Sequence, residues 1–165
     1  MTISEPITFL WFGGEAEEAA KLYTSLVPNS SIGDRMHAPG DTPGLKKGDL
    51  ITIEFTLNGR PFIAMNGGPP EGHAEYNDSV SIMLLCDTQE EIDRLWDGLT
   101  ANGGEGVACG WLKDRFGLRW QIAPRQLMEW NSSPDPKVAQ ASFTAMMDMV
   151  KIDLPALEAA VGAAA

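Results

Sequence analysis

The chain repeats itself, and the repeat limits the folds open to it. Thr8-Phe9-Leu10-Trp11-Phe12 and Ser81-Ile82-Met83-Leu84-Leu85 are short apolar runs of strand length. Each is followed by a few polar residues and then by an amphipathic helical pattern. In the helices Glu17 and Glu18 align with Glu90 and Glu91, Lys21 with Arg94, Leu22 with Leu95, Tyr23 with Trp96 and Leu26 with Leu99. Apolar residues recur at helical spacing in both: Ala16, Ala19, Ala20, Tyr23, Leu26 and Val27 in the first, Ile92, Leu95, Trp96 and Leu99 in the second. Glu17–Lys21 and Glu90–Arg94 are i,i+4 pairs in the supportive order. Asn29, after Pro28, ends the first helix, and Asn102-Gly103-Gly104 ends the second with residues that tolerate a left-handed backbone.

Antiparallel strands follow each helix. Leu50 to Leu57, the turn Asn58-Gly59, and Pro61 to Met65 read as a hairpin. Val107 to Lys113, the turn Asp114 to Gly117, and Leu118 to Ala123 are its counterpart, with Gly59 matching Gly117 and Phe62 matching Trp120. The unit is β-α-β-β-β, written twice. Residues 30–49, rich in Pro and Gly, read as a loop between strands of the first unit, and residues 66–79, opening Asn66-Gly67-Gly68-Pro69-Pro70, as the linker. One unit leaves a sheet face that it cannot bury alone. The expected architecture is therefore α+β: a single domain over 1–165, with module one at about 5–66 and module two at about 79–124. The modules are expected to form a curved mixed sheet with helices outside and a pocket inside. A helical tail over about 125–165, Ala/Met-rich and ending in a short helix with Asp153 as N-cap and Pro155 in its first turn, is expected to cover part of the sheet or a dimer interface.

The chain's 165 residues are 44% hydrophobic, enough for a packed core, and carry a net charge of −11. That charge repels phosphate backbones and anionic lipid, so neither nucleic acid nor a membrane is an expected partner. No apolar run is long enough to span a bilayer, and Met1 to Pro6 lacks a signal peptide's basic start, so a cytoplasmic protein is expected. Cys86 and Cys109 lack metal-site spacing and read as small packing residues.

Strand alternation groups Thr8, Leu10 and Phe12 on one face, Ser81 with Met83, Ile63 with Met65, Glu54 with Thr52 and Thr56, Arg119 with Gln121, and Cys109 with Trp111 and Lys113. The candidate pocket is lined by Thr8, Leu10, Glu54, Ile63, Ser81, Met83, Cys109, Trp111 and Gln121, an apolar and aromatic cavity with a few polar groups. Glu54 faces either solvent or pocket; inward, it binds a cation or acts as a general base. Cys109 has no neighbouring His to activate it. Trp111 and Trp120 either stack on a flat ligand or fill the core. Asp114 and Arg115 read as turn residues, the Asp bonding its own backbone. Arg35 and His37, ahead of a Pro/Gly-rich stretch, either gate the pocket or belong to a mobile surface loop.

Thr8-Phe9-Leu10-Trp11-Phe12, Glu17-Glu18-Ala19, Leu22-Tyr23, Phe62 to Pro69, Thr88 to Asp93, Leu95-Trp96, the block Cys109 to Ile122 and the tail Lys151-Ile152-Asp153-Leu154 together carry a resemblance. From Ile7 to about Leu157 the chain resembles the vicinal oxygen chelate superfamily, the glyoxalase/bleomycin-resistance/dioxygenase fold. More narrowly it resembles the PhnB-like branch labelled 3-demethylubiquinone-9 3-methyltransferase. The resemblance implies paired βαβββ modules, a concave pocket, and a homodimer that often exchanges elements.

Family enzymes hold a divalent metal there, and the resemblance places its ligand positions at Thr8, Ile63 or Ala64, Ser81 and Gln121. Hydroxyls are weak ligands, Ile and Ala are none, and Gln121 offers a neutral amide where a carboxylate is usual. His37 and His73 lie in loop-like segments. No metal and no cofactor are expected at this pocket. Asn66-Gly67-Gly68-Pro69 opens no helix, so it does not read as a nucleotide-type turn for S-adenosylmethionine. The function expected is small-molecule binding, the acidic chain and aromatic cavity suiting a flat cation. The alternative is a metal-independent enzyme in which Glu54 or Gln121 moves a proton or orients the substrate, including the methyl transfer of the label.

Overall fold

The computed structural model describes residues 4–67 and 75–164. Contacts divide the chain into two compact units, Met1–Ala74 and Glu75–Ala165. Each contains the expected strand, helix and three further strands.

In the first unit β1 (Thr8–Phe12), α1 (Ala16–Leu26), β2 (Ser31–His37), β3 (Leu50–Leu57) and β4 (Arg60–Asn66) form a mixed sheet ordered β1-β4-β3-β2. β1 runs parallel to β4 and the other pairs are antiparallel. α1 buries Ala16, Ala19, Ala20 and Tyr23, the face that the spacing predicts. The sheet meets it with Leu10, Phe12, Ile53, Phe55, Leu57, Phe62 and Ala64, all buried. Phe55 stacks on Phe62 at 5.2 Å between ring centroids and lies 6.4 Å from Tyr23. Full burial of each large side chain contributes about 1.5–3 kcal/mol. Asn58 and Gly59 both have positive φ (47° and 76°), the backbone a two-residue hairpin of this twist requires.

Glu15 gives α1 no side-chain cap. Asn66, at the end of β4, supplies it: its Oδ1 accepts from Ala16 N at 2.8 Å, and its Nδ2 donates to Leu50 O at 3.3 Å. The Trp11 indole N–H donates to Gly67 O at 2.9 Å, and a Cβ at Gly67 would stand 2.6 Å from that nitrogen. Asn66-Gly67 thus starts a helix and seats Trp11. The rest of the expected linker turn, Gly68 to Pro70, lies outside the described residues, as does His73. One expectation fails here. Seven residues of the supposed loop 30–49 are strand β2, so Arg35 and His37 are strand residues. Arg35 bonds Glu17 through Nε and Nη2, at 3.1 and 3.0 Å.

In the second unit β5 (Ile82–Cys86), α2 (Gln89–Thr100), β6 (Glu105–Gly106), β7 (Trp111–Lys113) and β8 (Arg119–Pro124) repeat the order as β5-β8-β7-β6. Thr88 caps α2, its Oγ1 accepting from Glu91 N at 3.3 Å. α2 buries Ile92, Leu95, Trp96 and Leu99. Leu112, Trp120 and Ile122 are the fully buried residues of the strands it packs on. Asn102 and Gly103 end the helix at φ 58° and 110°. Val107 to Lys113 is not one strand. The chain leaves β6 after Gly106, turns through Cys109 (φ 52°) and Gly110 (φ 82°), and enters β7 at Trp111.

The tail forms α3 (Arg125–Asn131), α4 (Pro136–Met147) and α5 (Leu154–Ala164). Ala123, Leu127, Ile152 and Leu157 make a buried cluster, with Leu85, Trp130, Met146 and Met149 packed around it. Two latches fix the tail to α2. Gln89 Nε2 donates to Ile152 O (3.2 Å) while its Oε1 accepts from Leu154 N (2.7 Å), and Lys151 Nζ bonds Asp93 Oδ1 (2.6 Å). Asp153 caps α5 as expected, accepting from Ala156 N at 2.9 Å. Among the described residues no helix is long and apolar enough to cross a membrane.

Candidate functional site

Each sheet has one face under its helix and one without a helix of its own module. Pairing and burial say which residue stands on which. In the first unit Phe9, Ile63 and Glu54 oppose one another across β1, β4 and β3 on the helix-free face. In the second, Met83, Gln121 and Trp111 oppose one another across β5, β8 and β7. The rows are equivalent, because Phe62 pairs with Thr8 as Trp120 pairs with Ile82.

This register corrects the alignment of the repeat. The helices align with an offset that pairs Tyr23 with Trp96, but the first strands align one residue further on, Phe9 with Met83. Three residues (13–15) separate β1 from α1, and two (87–88) separate β5 from α2. A one-residue slip exchanges the faces of a strand. Leu10 is consequently a core residue buried under α1, and Thr8 shares its parity, opposite in face to Ile63 and Glu54. Phe9, exposed and absent from the candidate lining, occupies the helix-free position.

In the second unit the alternation reading matches the placement. Gln121 Nε2 donates to Ser81 Oγ at 2.8 Å, so Ser81, Met83, Gln121, Arg119, Trp111 and Lys113 share one face. Trp120 lies on the opposite face from Trp111, fully buried. Cys109 is not on the strand at all. Its N–H donates to Met149 O at 2.7 Å, and its Sγ lies 3.8 Å from Met147 Sδ, so it belongs to the docking of the tail. The tail also occupies the far end of this face, where Leu85 and Ala123 pack into its cluster.

The aromatic cluster of Tyr23, Phe55 and Phe62 lies on the helix side of the first sheet. On the helix-free side a groove of about 160 Å³ runs over Ile7, Thr56, Pro61, Ile63 and Glu54. By itself it is smaller than the usual small-molecule cavity. Glu54 is exposed at its edge.

The donor set does not fit a transition metal. The aligned positions are Phe9, Ile63, Met83 and Gln121, none of which brings imidazole, carboxylate or thiolate. Among the described residues no three His, Cys, Asp or Glu side chains are grouped to hold an ion.

A family profile described as 3-demethylubiquinone-9 3-methyltransferase matches residues 4–123. No curated protein matches the chain. Among solved structures, a PhnB protein from Bacillus cereus carrying the same methyltransferase label is 32% identical, with a TM-score of 0.64 over 72% of this chain and 98% of its own. Protein PA1353 from Pseudomonas aeruginosa is 20% identical, with a TM-score of 0.58 over 74% of this chain and 98% of its own. The monoclinic form of the fosfomycin resistance protein FosX from Listeria monocytogenes is 19% identical, with a TM-score of 0.52 over 78% and 97%. The last two bear on the fold alone. The family match stops at residue 123, short of the tail, whereas the resemblance is expected to run to about Leu157.

Proposed function

We propose a small-molecule-binding function for this chain, which belongs to the 3-demethylubiquinone-9 3-methyltransferase family and has the vicinal oxygen chelate fold. The ligand lies on the helix-free face of the second sheet, over the row Met83–Gln121–Trp111. The observation that carries this reading is the side-by-side placement of a flat aromatic (Trp111), a soft apolar side chain (Met83) and an amide already oriented by Ser81. Such a set binds a flat, partly polar molecule: the ring stacks, the thioether adapts, and the amide fixes orientation. The first module, taken by itself, carries Phe9, Ile63 and Glu54 on its own helix-free face.

The family's name supports a second reading, methyl transfer. A thermal-shift screen separates the two. It would include S-adenosylmethionine, divalent metal salts, and flat aromatic compounds of either charge. A specific ligand at a hundred times its Kd stabilises the protein by about 2.7 kcal/mol. A shift with aromatic compounds that Trp111→Ala abolishes supports the binding reading. A shift with S-adenosylmethionine alone would replace it with the enzymatic one.

A homodimer is part of the proposal. Phe143 and Met147, one turn apart on α4, are exposed, as are Val150 and Val107. An apolar patch of this kind suits burial between copies, and light scattering measures the mass. A cytoplasmic location is proposed from the two free cysteines.

A further inference from the structure

We infer that the ligand carries an oxyanion, a carboxylate or a group of similar charge, held between Lys113 and Arg119 beside the Trp111–Gln121 row. This rests on the ligand face proposed above and names the chemistry it selects.

Lys113 and Arg119 are direct cross-strand partners on β7 and β8. Opposed residues stand about 4.5–5.5 Å apart at Cβ, and like charges there destabilise the sheet. Both side chains are well covered, Arg119 at 18% exposure and Lys113 at 33%. The fold compensates each from the rim: Arg119 Nε bonds Asp78 Oδ1 and Lys113 Nζ bonds Glu105 Oε1, both at 2.5 Å. These carboxylates are far more exposed, 76% for Asp78 and 63% for Glu105. Glu105 is held below the ordinary carboxylate range, first by its bond to Lys113 and then by that charge, and the Arg119 charge reaches it as well. The three groups share one field.

With their carboxylate partners open to solvent, these ion pairs are screened and stabilise the fold only weakly. A ligand oxyanion that bonds both cations can displace the rim carboxylates, and it relieves the Lys113–Arg119 repulsion directly. Arg119 offers a planar fork suited to it, and Lys113 a point charge. Spacing also fits. Along a strand, side chains of one face recur about every 6.6–6.8 Å. A ring over Trp111 therefore puts a substituent one ring away beside Lys113, with Gln121 next to Arg119. The equivalent positions in the first module are Thr56 and Pro61, which line its apolar groove, so among the described residues this charge recognition belongs to module two. The flat cation suggested by the net charge of −11 is the wrong partner for this face, because the local charges, not the total, meet the ligand.

Two probes with the same rings test the inference: 1-anilinonaphthalene-8-sulfonate and the neutral N-phenyl-1-naphthylamine, titrated by fluorescence at low salt. The full-length protein should bind the sulfonate about tenfold more tightly, equivalent to about 1.4 kcal/mol. Lys113→Met and Arg119→Gln should each reduce the sulfonate-to-neutral affinity ratio about tenfold. Glu105→Gln, which removes the competing carboxylate, should raise sulfonate affinity about threefold. Glu158→Gln on α5, with the same change in net charge, should not; these magnitudes follow from single charge contacts near a surface. Circular dichroism confirms that each variant is folded. Equal binding of the two probes, still weakened by Trp111→Ala, overturns the oxyanion and leaves the ligand face standing. Failure of both probes to bind overturns both.

Discussion

The Trp120 indole N–H donates to Asp114 Oδ2 at 2.8 Å, joining the floor of the second module's core to the tip of its closing hairpin. Asp114 is 1% exposed. Its other oxygen accepts from Phe116 N and Leu118 N, at 2.9 and 3.0 Å, and its backbone closes the turn with Gly117 and Leu118. One carboxyl thus satisfies three donors and fixes where β8 begins. The register of β8 in turn decides that Arg119 and Gln121 leave the core while Trp120 and Ile122 enter it.

Asp114→Ala strands the Leu118 and Trp120 donors in a buried place, each orphaned donor costing about 1–3 kcal/mol, and leaves the half-buried Phe116 N–H to solvent. The expected loss is about 3 kcal/mol by urea unfolding, with the m-value unchanged. Trp120→Phe removes one donor and some volume and should cost about 2 kcal/mol. The double variant should lose clearly less than the sum, by about 1 kcal/mol, since the two share a bond. Strict additivity would show that the bond contributes nothing.

Phe9 and Leu10 are neighbours on opposite faces of β1, and they should separate stability from binding. Leu10→Ala opens a cavity under α1 and should cost about 2–5 kcal/mol. Phe9→Ala removes an exposed ring and should stay within about 1 kcal/mol of wild type. If Phe9→Ala is the more destabilising of the two, the strand's faces are assigned the wrong way round.

Why these faces were not legible in the sequence has a physical answer. The repeat itself was legible, because helical spacing at Ala16, Ala19, Ala20 and Tyr23 and at Ile92, Leu95, Trp96 and Leu99 marks buried stripes that no other pattern imitates. Its strand register was not, because the extra residue between Phe12 and Ala16 changes no composition yet inverts β1. β2 was hidden by Gly33 and Asp34, and by register shifts against β3 between Ile32 and Arg35 and between Met36 and His37. A Cβ on Gly33 would stand 3.2 Å from Glu54, which is why a glycine interrupts that strand. Cys109 kept the parity of Trp111 on paper, but a left-handed residue followed by Gly110 erases parity. In the second sheet, where pairing is uninterrupted from Trp111 through Gln121 to Met83, alternation alone placed the face correctly.

The two thiols should react very differently. Cys86 is buried, and that burial pushes its thiol up to about 11. At pH 8 only about one molecule in a thousand carries its thiolate. Cys109 is partly exposed. An aromatic disulfide reagent should therefore modify one thiol per chain within minutes, and the second only in denaturant. Cys109→Ser should abolish the fast phase; a fast phase that survives it would place Cys86 at the surface.

The tail's attachment to α2 should be pH-dependent at both ends of the scale. Asp93 is held below its ordinary value of 3.8, chiefly by its bond to Lys151 and next by Gln89, while Lys151 is held above 10.5 by Asp93. A depressed carboxylate contributes stability that is complete above 3.8 and fades as pH falls through its lower folded value. A raised lysine contributes stability that is complete below 10.5 and fades as pH rises through its higher folded value. Glu17 and Glu105 add their own acid-side losses, so comparison with a variant isolates the latch. Lys151→Met should lower the urea midpoint by a constant amount from about pH 5 to pH 10. Below about pH 3.8 the difference from wild type should shrink, because protonated Asp93 has no charge left to lose. The Gln89 bonds to Ile152 and Leu154 do not titrate, so the tail should stay docked in acid, with Trp130 still packed and its fluorescence unchanged. A midpoint difference that is flat down to pH 2.5 would mean that Lys151 holds the tail by packing and not by charge.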